Sequence, residues 1–177
     1  MIEIIDEQNI APPLDAKIRA MLCVCFPEWA EVFACRRVWH NTPPIFTVLL
    51  REDGEIAAHV AVVVRTITTT WNWRYNVASI QGVSVVPEKR GNRIGRELLD
   101  VTVNEIKRRG FFFAILFCKE SLVPYYISLG WQLADDSMVM WNNRDLPIAM
   151  RSNCPMYKEL TDVSLPEGPL DVHSPTL

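Results

Sequence analysis

The chain has 177 residues, of which 18 are basic and 21 acidic, with 49% apolar and 22% charged residues and a formal net charge of -3. A chain this long hides roughly 70% of its unfolded surface, so a core forms without disulfide or metal staples, and the slight acidity argues against a global affinity for nucleic acid or anionic lipid. The longest apolar runs, 56–64 and 111–118, fall far short of the ~20 residues that span a bilayer.

Residues 1–8 are acidic and lack the basic start and apolar stretch of a secretory signal, which makes the cytoplasm the expected location. The five cysteines, Cys23, Cys25, Cys35, Cys118 and Cys154, include no Cys-x-x-Cys pair. They are read as reduced, small apolar residues, with no metal site. No repeat or low-complexity block divides the chain, so one domain over 1–177 is expected.

After Pro12 and Pro13, Leu14, Ile18, Met21, Leu22 and Cys25 recur at helical spacing until Pro27, which predicts a first helix. Residues 28–37 read as a second, short one carrying Trp29, Val32 and Phe33 inward. Segments 45–51 and 56–65, joined by Glu52, Asp53 and Gly54, predict an antiparallel hairpin. A turn at 71–73 leads to a third strand, 75–86, closed by Pro87. Ile94, Leu98, Val101 and Ile106 mark one face of the main helix, 94–109, which Gly110 stops. The apolar run 111–118 predicts a central strand covered on both faces. A short helix over 122–129 with Pro124 in its first turn, a cap at Gly130, and a closing pair of strands at 131–133 and 137–141 complete a core of about 45–141. The proline-richer end, 142–177, is expected to be largely irregular with strand character.

The chemistry concentrates where the third strand meets the main helix. Arg90, Gly91, Asn92, Arg93, Ile94, Gly95 and Arg96 form a basic, glycine-containing turn at a helix start. Exposed N–H groups at a helix N-terminus favour anions, and glycines let the backbone approach closely. Arginines add charge-assisted hydrogen bonds to phosphate oxygens. The turn therefore suits a pyrophosphate. Neither a Gly-x-x-x-x-Gly-Lys-Ser/Thr loop nor a Gly-x-Gly-x-x-Gly dinucleotide turn is present. The alternative reading of the turn is a solvated basic helix start.

Residues 90–95 nevertheless match most of the pattern Gln/Arg-x-x-Gly-x-Gly/Ala, and Tyr126 to Trp131 match Tyr-x-x-x-Gly-Phe with one aromatic exchanged for another. On these motifs the sequence resembles the GNAT superfamily of acetyl-CoA-dependent N-acetyltransferases, over roughly residues 45–141. One position departs, because Arg93 stands where the family usually has glycine. Ala58-His59 followed by Arg65, and Gly82-Val83 ahead of the turn, are similar, more weakly, to aminoglycoside 2'-N-acetyltransferases and nodulation acyltransferases. The resemblance implies a mixed α/β (α+β) fold, its mostly antiparallel central sheet splayed at the middle strands and flanked by helices on both faces.

It also implies a mechanism. Acetyl-CoA, as co-substrate, would lay its pantetheine arm along Val83, Ser84 and Val85 in the manner of strand addition, with its pyrophosphate on residues Arg90 to Arg96. The Val83 amide would stabilise the oxyanion. A primary amine, expected on a small molecule, would attack the thioester directly, with Tyr126 as acid for the departing thiolate and Tyr125 as fallback. A phenol of ordinary pKa about 10 is a weak acid but a good hydrogen-bond partner for sulfur.

The base is less defined. Gln81 stands where some relatives carry glutamate, and an amide does not accept a proton at neutral pH, so water relays are expected. His59, with an ordinary pKa of about 6.5, is a candidate, its alternative being a hydrogen-bonded core histidine. Glu28 and Glu31 would attract a cationic acceptor or simply face solvent. Trp29, Trp39, Trp71 and Trp73 would line an acceptor groove or pack in the core. Cys118 is read as packing. No nucleic-acid or membrane partner is expected, pairing of two copies is left open, and the alternative function is a non-catalytic CoA or acyl-CoA sensor.

Overall fold

The computed structural model describes residues 1–39, 42–69, 71–134, 140–141, 153–166 and 168–172. They form two compact units, Met1–Val63 with Ile80–Glu105 and Val64–Ser79 with Ile106–Leu177. Two long strands, β3 (Glu55–Thr69) and β4 (Arg74–Val85), contribute residues to both units, as does the helix α3 (Ile94–Arg108).

The first unit opens with a strand that the sequence reading did not expect, β1 (Ile2–Asp6). Helix α1 (Pro12–Cys25) follows, with its two prolines where the missing N–H groups cost nothing. It ends at Phe26, whose position before Pro27 disfavours helical backbone. Its inward face carries Ile18, Met21, Leu22 and Cys25, which pack with Phe33 of α2 (Ala30–Cys35), Leu49 and Ile56. Full burial of Ile18 and Leu22 contributes about 1.5–3 kcal/mol each. Strand β2 (Phe46–Glu52) pairs antiparallel with β1 on one side and with β3 on the other. The β2–β3 turn is a two-residue loop in which Asp53 and Gly54 both have positive φ, 51° and 82°, the conformation whose twist suits a hairpin.

Arg37 ties these elements together. Its guanidinium is 7% exposed, and it donates to Asp15 of α1 at 2.6 Å, to Glu7, and to Thr47 of β2 at 3.4 Å. Arg19 also donates to Asp15, at 2.7 Å. Burial pushes the Asp15 carboxyl up, but the hydrogen bonds and charges of Arg19 and Arg37 more than reverse this and hold it below the ordinary aspartate value.

In the second unit β5 (Phe113–Cys118) has the expected inner place, with β4 on one side and β8 (Cys154–Glu159) on the other. Its parallel ladder with β4 holds only Ala78↔Ala114 and Ser79↔Ile115. The core gathers Ile67, Val77, Phe113, Ile115, Leu165 and Leu170. Helix α4 (Val123–Ile127) carries Pro124 in its first turn. Phe112 is half exposed, so the run covered by sheet neighbours is shorter than the apolar sequence.

The tail, expected to be largely irregular with strand character, carries the strands β8 and β9 (Leu170–Val172); β8 pairs antiparallel with β5 over six residue pairs, Phe113↔Glu159 to Cys118↔Cys154. One expectation is corrected. The closing strands β6 (Gln132–Leu133) and β7 (Met140–Trp141) pair with β8 and β9 respectively, not with each other. The open edge of β5 recruits the distant segment 154–159, which in turn supplies an edge to β6. Expected positions 137–139 lie outside the described residues.

Candidate active site

The Arg90 to Arg96 turn belongs wholly to the first unit. Pro87 to Lys89 make a single 3-10 turn after β4, the Arg90 amide donates to the Pro87 carbonyl at 3.3 Å, and α3 begins at Ile94. Gly91 and Arg93 both take left-handed backbone, with φ of 84° and 60°. This conformation is cheapest without a Cβ, which suits the glycine usual at this position in the family the sequence resembles. Arg93 reaches it anyway, and its carbonyl accepts the Glu97 N–H at 3.1 Å to start the helix. The amides of Ile94, Gly95 and Arg96 then stand in the first turn of α3. Arg90, Gly91, Asn92, Arg93 and Arg96 are exposed, while Ile94 and Gly95 are half-buried.

Arg90 is exposed but tethered to the backbone. Its Nε donates to the Val85 carbonyl at 3.0 Å. Burial raises the pKa of the Cys25 thiol, against the downward pull of the Arg90 charge. Lys89 pairs with Glu52 across the same end of the unit. Asn92 Nδ2 reaches the Lys89 carbonyl at 3.5 Å.

Upstream, β4 is broken at Gly82. Its φ is 61°, and its carbonyl accepts from two side chains, His59 Nδ1 at 2.9 Å and Ser84 Oγ at 3.1 Å. His59 is fully buried. Burial, against the opposing pull of the Gly82 hydrogen bond and with a further push from Arg37, lowers its pKa to about 4. The ring is therefore neutral at pH 7 and shut off from solvent, the arrangement of a hydrogen-bonded core histidine and not of a base exchanging protons with a substrate. Gln81 is also engaged, its Oε1 accepting the Trp39 N–H at 3.2 Å. Val83 and Val85 are half-buried and Ser84 is buried. The first unit thus brings Val83, Ser84, Val85 and the Arg90 turn onto one strand and its sequel, with His59 on the neighbouring strand β3. The sequence reading named Gly82 but not its positive φ, and it missed Ser84 Oγ as a second donor; a glycine inside a strand pattern was the available signal.

Trp29 and Trp39 also belong to this unit, ring centroids 5.5 Å apart and edge-on, packed with Phe26 and Phe33. Trp29 remains 46% exposed, and Glu28 and Glu31 beside it face solvent. Trp71 and Trp73 sit in the second unit on the β3–β4 turn, both exposed.

Tyr126 lies on α4 in the second unit, 5% exposed. Its ring packs edge-on against Tyr125 at 5.2 Å and Trp131 at 6.2 Å. Burial, then the neighbouring Cys118 and Tyr125, push the phenol well above its ordinary value, so it stays protonated across the neutral range. The Tyr-x-x-x-Gly-Trp spacing has a local cause. Gly130, at φ 77°, turns the chain back so that the Tyr126 carbonyl accepts the amides of Leu129 at 2.9 Å and Trp131 at 3.1 Å. Tyr125 is about one-third exposed. Cys118 is buried and its thiol is pushed up to about 11 by burial first and by Cys154 next, which suits packing and not nucleophilic attack. Cys35, by contrast, is exposed at the end of α2. Among the described residues no cluster of metal-ligating side chains occurs, and no helix is long and apolar enough to cross a membrane.

Among curated proteins none matches the sequence. Solved structures share the fold at low identity. The Escherichia coli GNAT family N-acetyltransferase YhbS in complex with CoA has a TM-score of 0.65 at 15% identity, over 98% of this chain and 89% of that one. An aminoglycoside 6'-N-acetyltransferase complexed with coenzyme A has 0.64 at 15%, over 93% and 99%. A GNAT family acetyltransferase from Brucella melitensis in complex with acetyl-CoA has 0.61 at 16%, over 96% and 94%. The expected mixed α/β fold with a mostly antiparallel sheet is therefore the fold present. The family model for the acetyltransferase (GNAT) domain matches residues 17–134, well over half of the sequence and inclusive of both motifs. The chain belongs to the GNAT acetyltransferase family.

Proposed function

We propose that this GNAT acyltransferase moves an acetyl group from acetyl-CoA to a primary amine of a small molecule, by direct attack of the amine on the thioester. The observation that carries the reading is the Arg90 to Arg96 turn, where two left-handed residues, exposed arginines and the first turn of α3 follow one another along seven residues, features that suit a pyrophosphate. The CoA-bound and acetyl-CoA-bound relatives support the same donor.

In this reading the pantetheine amides pair with the β4 backbone at Val83 to Val85, and the Val83 N–H stabilises the oxyanion of the tetrahedral intermediate. The nitrogen–carbon bond forms first to give that intermediate, and its collapse breaks the carbon–sulfur bond, the departing thiolate taking its proton from the Tyr126 phenol. The phenolate then recovers a proton from solvent. The proton lost by the ammonium leaves through water, because His59 is buried and Gln81 is an amide. Trp29 with Glu28 and Glu31 offers the acceptor an aromatic face and negative charge. The site acts without a metal, and the cytoplasm, where acetyl-CoA is available, is its proposed location.

The test is a panel of polyamines, aminoglycosides and simple primary amines incubated with acetyl-CoA, read by release of free thiol and by the mass of the acetylated amine. Turnover with an amine, lowered about 100-fold in Tyr126→Phe while CoA affinity holds, is expected. CoA binding without release of thiol for any amine would replace this reading with that of a sensor, and absence of CoA binding would remove both.

A further inference from the structure

The hydrogen bond between His59 and Gly82 defines more than a buried side chain. A carbonyl only accepts, so His59 Nδ1 carries the proton and Nε2 is the bare nitrogen. That Nε2 is buried with no hydrogen-bond partner. A leucine would fill similar space without stranding a polar atom, so what the imidazole supplies is the Nδ1–H donor. Ser84 Oγ supplies a second donor to the same oxygen, and the Gly82 carbonyl is thus pinned towards His59.

The Gly82–Val83 peptide is trans, like every other described peptide. Its plane is rigid, so the Val83 N–H points opposite to the Gly82 carbonyl, away from the His59 ring. Holding one end of this unit fixes the direction of the other. Gly82 gives the plane its unusual setting through its φ of 61°, and the close fit of the ring, whose Cε1 would lie 3.2 Å from an added Cβ, leaves little room for another.

We infer that His59 is a positioning residue, whose Nδ1–H holds the Gly82 carbonyl and thereby aims the Val83 N–H at the acyl oxygen of the bound thioester. The inference rests on the function proposed above, in which that N–H is the oxyanion donor. It assigns His59 no proton transfer, and it gives Ser84 the supporting half of the clamp.

Three variants of the full chain test it. The side-chain nitrogen of asparagine superposes on histidine Nδ1, that of glutamine lies nearer Nε2, and leucine has none. With acetyl-CoA and the best amine of the panel, His59→Leu and His59→Gln are expected to lower kcat about 100-fold, the scale of losing one oxyanion donor. His59→Asn should stay within about tenfold of the wild type. CoA affinity and KM for acetyl-CoA should move less than twofold in all three. A role confined to packing would slow all three alike, because each removes the ring, and that result overturns the inference, as does full activity in His59→Leu. If the leucine variant does not fold, the asparagine and glutamine pair decides. A wild-type chain that releases no thiol overturns the proposed function and this inference together; an active wild type with three equally slow variants overturns this inference alone.

Discussion

Replacing Gly82 by alanine isolates the cost of the break in β4. An alanine at φ 61° pays about 1–2 kcal/mol for left-handed backbone. Its Cβ would also meet His59 Cε1 at 3.2 Å, Nδ1 at 3.4 Å and Leu22 Cδ2 at 3.8 Å. His59 is a buried ring held by a hydrogen bond and Leu22 is fully buried, so the contact is not relieved by swinging a flexible side chain. Crowding of this kind adds about 1–3 kcal/mol, while the stiffer unfolded chain returns about 0.4–1 kcal/mol. The net loss is about 2–4 kcal/mol, or roughly 4–16 °C in Tm for a chain of this size. Gly91 is the control: its φ is 84°, yet nothing lies within 4 Å of an added Cβ. Gly91→Ala should pay only the backbone cost, about 1 kcal/mol. Circular dichroism melts of both variants at pH 7 measure the difference. Equal melting points for the two, or a Gly82→Ala melt within 1 °C of the wild type, would refute the packing argument.

Other perturbations follow from the same geometry. Arg90→Ala should raise the Kd for CoA about 5- to 150-fold by calorimetry, the range for a lost charged hydrogen bond of about 1–3 kcal/mol; an unchanged Kd would place the pyrophosphate elsewhere. Arg93→Gly should relieve left-handed strain and raise stability by up to about 1 kcal/mol in urea titrations, while weakening CoA binding through loss of a cation; a drop in stability would contradict the strain reading. Arg37→Met leaves Asp15 and Glu7 without their buried partner and should cost about 2–3 kcal/mol at pH 7, less than for a fully buried pair because both carboxylates are partly exposed. The Asp15 pKa is lowered by folding, so its contribution is present above the unfolded value of about 3.9 and is lost as pH falls through the folded one. The gap between wild type and Arg37→Met should therefore narrow below pH 4, and melts that keep the same separation at pH 3 and pH 7 would rule this out.

What was legible in the sequence was whatever local chemistry determines. The hairpin at Asp53 and Gly54, both helices after Pro12, the main helix and the Arg90 turn each carry their cause within a few residues. The bounds and partner of strand β8 were hidden because Pro155 argues against a strand by propensity, while its stability comes from β5, some forty residues earlier in the chain. The partners of β6 and β7 were hidden for the same reason. Strand β1 had a signal in the alternation of Ile2, Glu3 and Ile4, outweighed by its acidity and shortness. At the site the motifs located Arg90 and Tyr126, but the inward turn of the Gly82 carbonyl and the burial of His59 depend on backbone angles and on α1 packing, which spacing alone does not encode.

The contrast between two sulfurs has a practical outcome for labelling. At a pKa of about 11, the Cys118 side chain is ionised to only about one part in ten thousand at pH 7, and it is covered besides. Cys35 stands in the open at the end of α2. A maleimide dye applied briefly should mark Cys35 first, the half-buried Cys23 and Cys154 more slowly, and spare Cys118, giving a fluorescent reporter at the end of α2 without modifying β5.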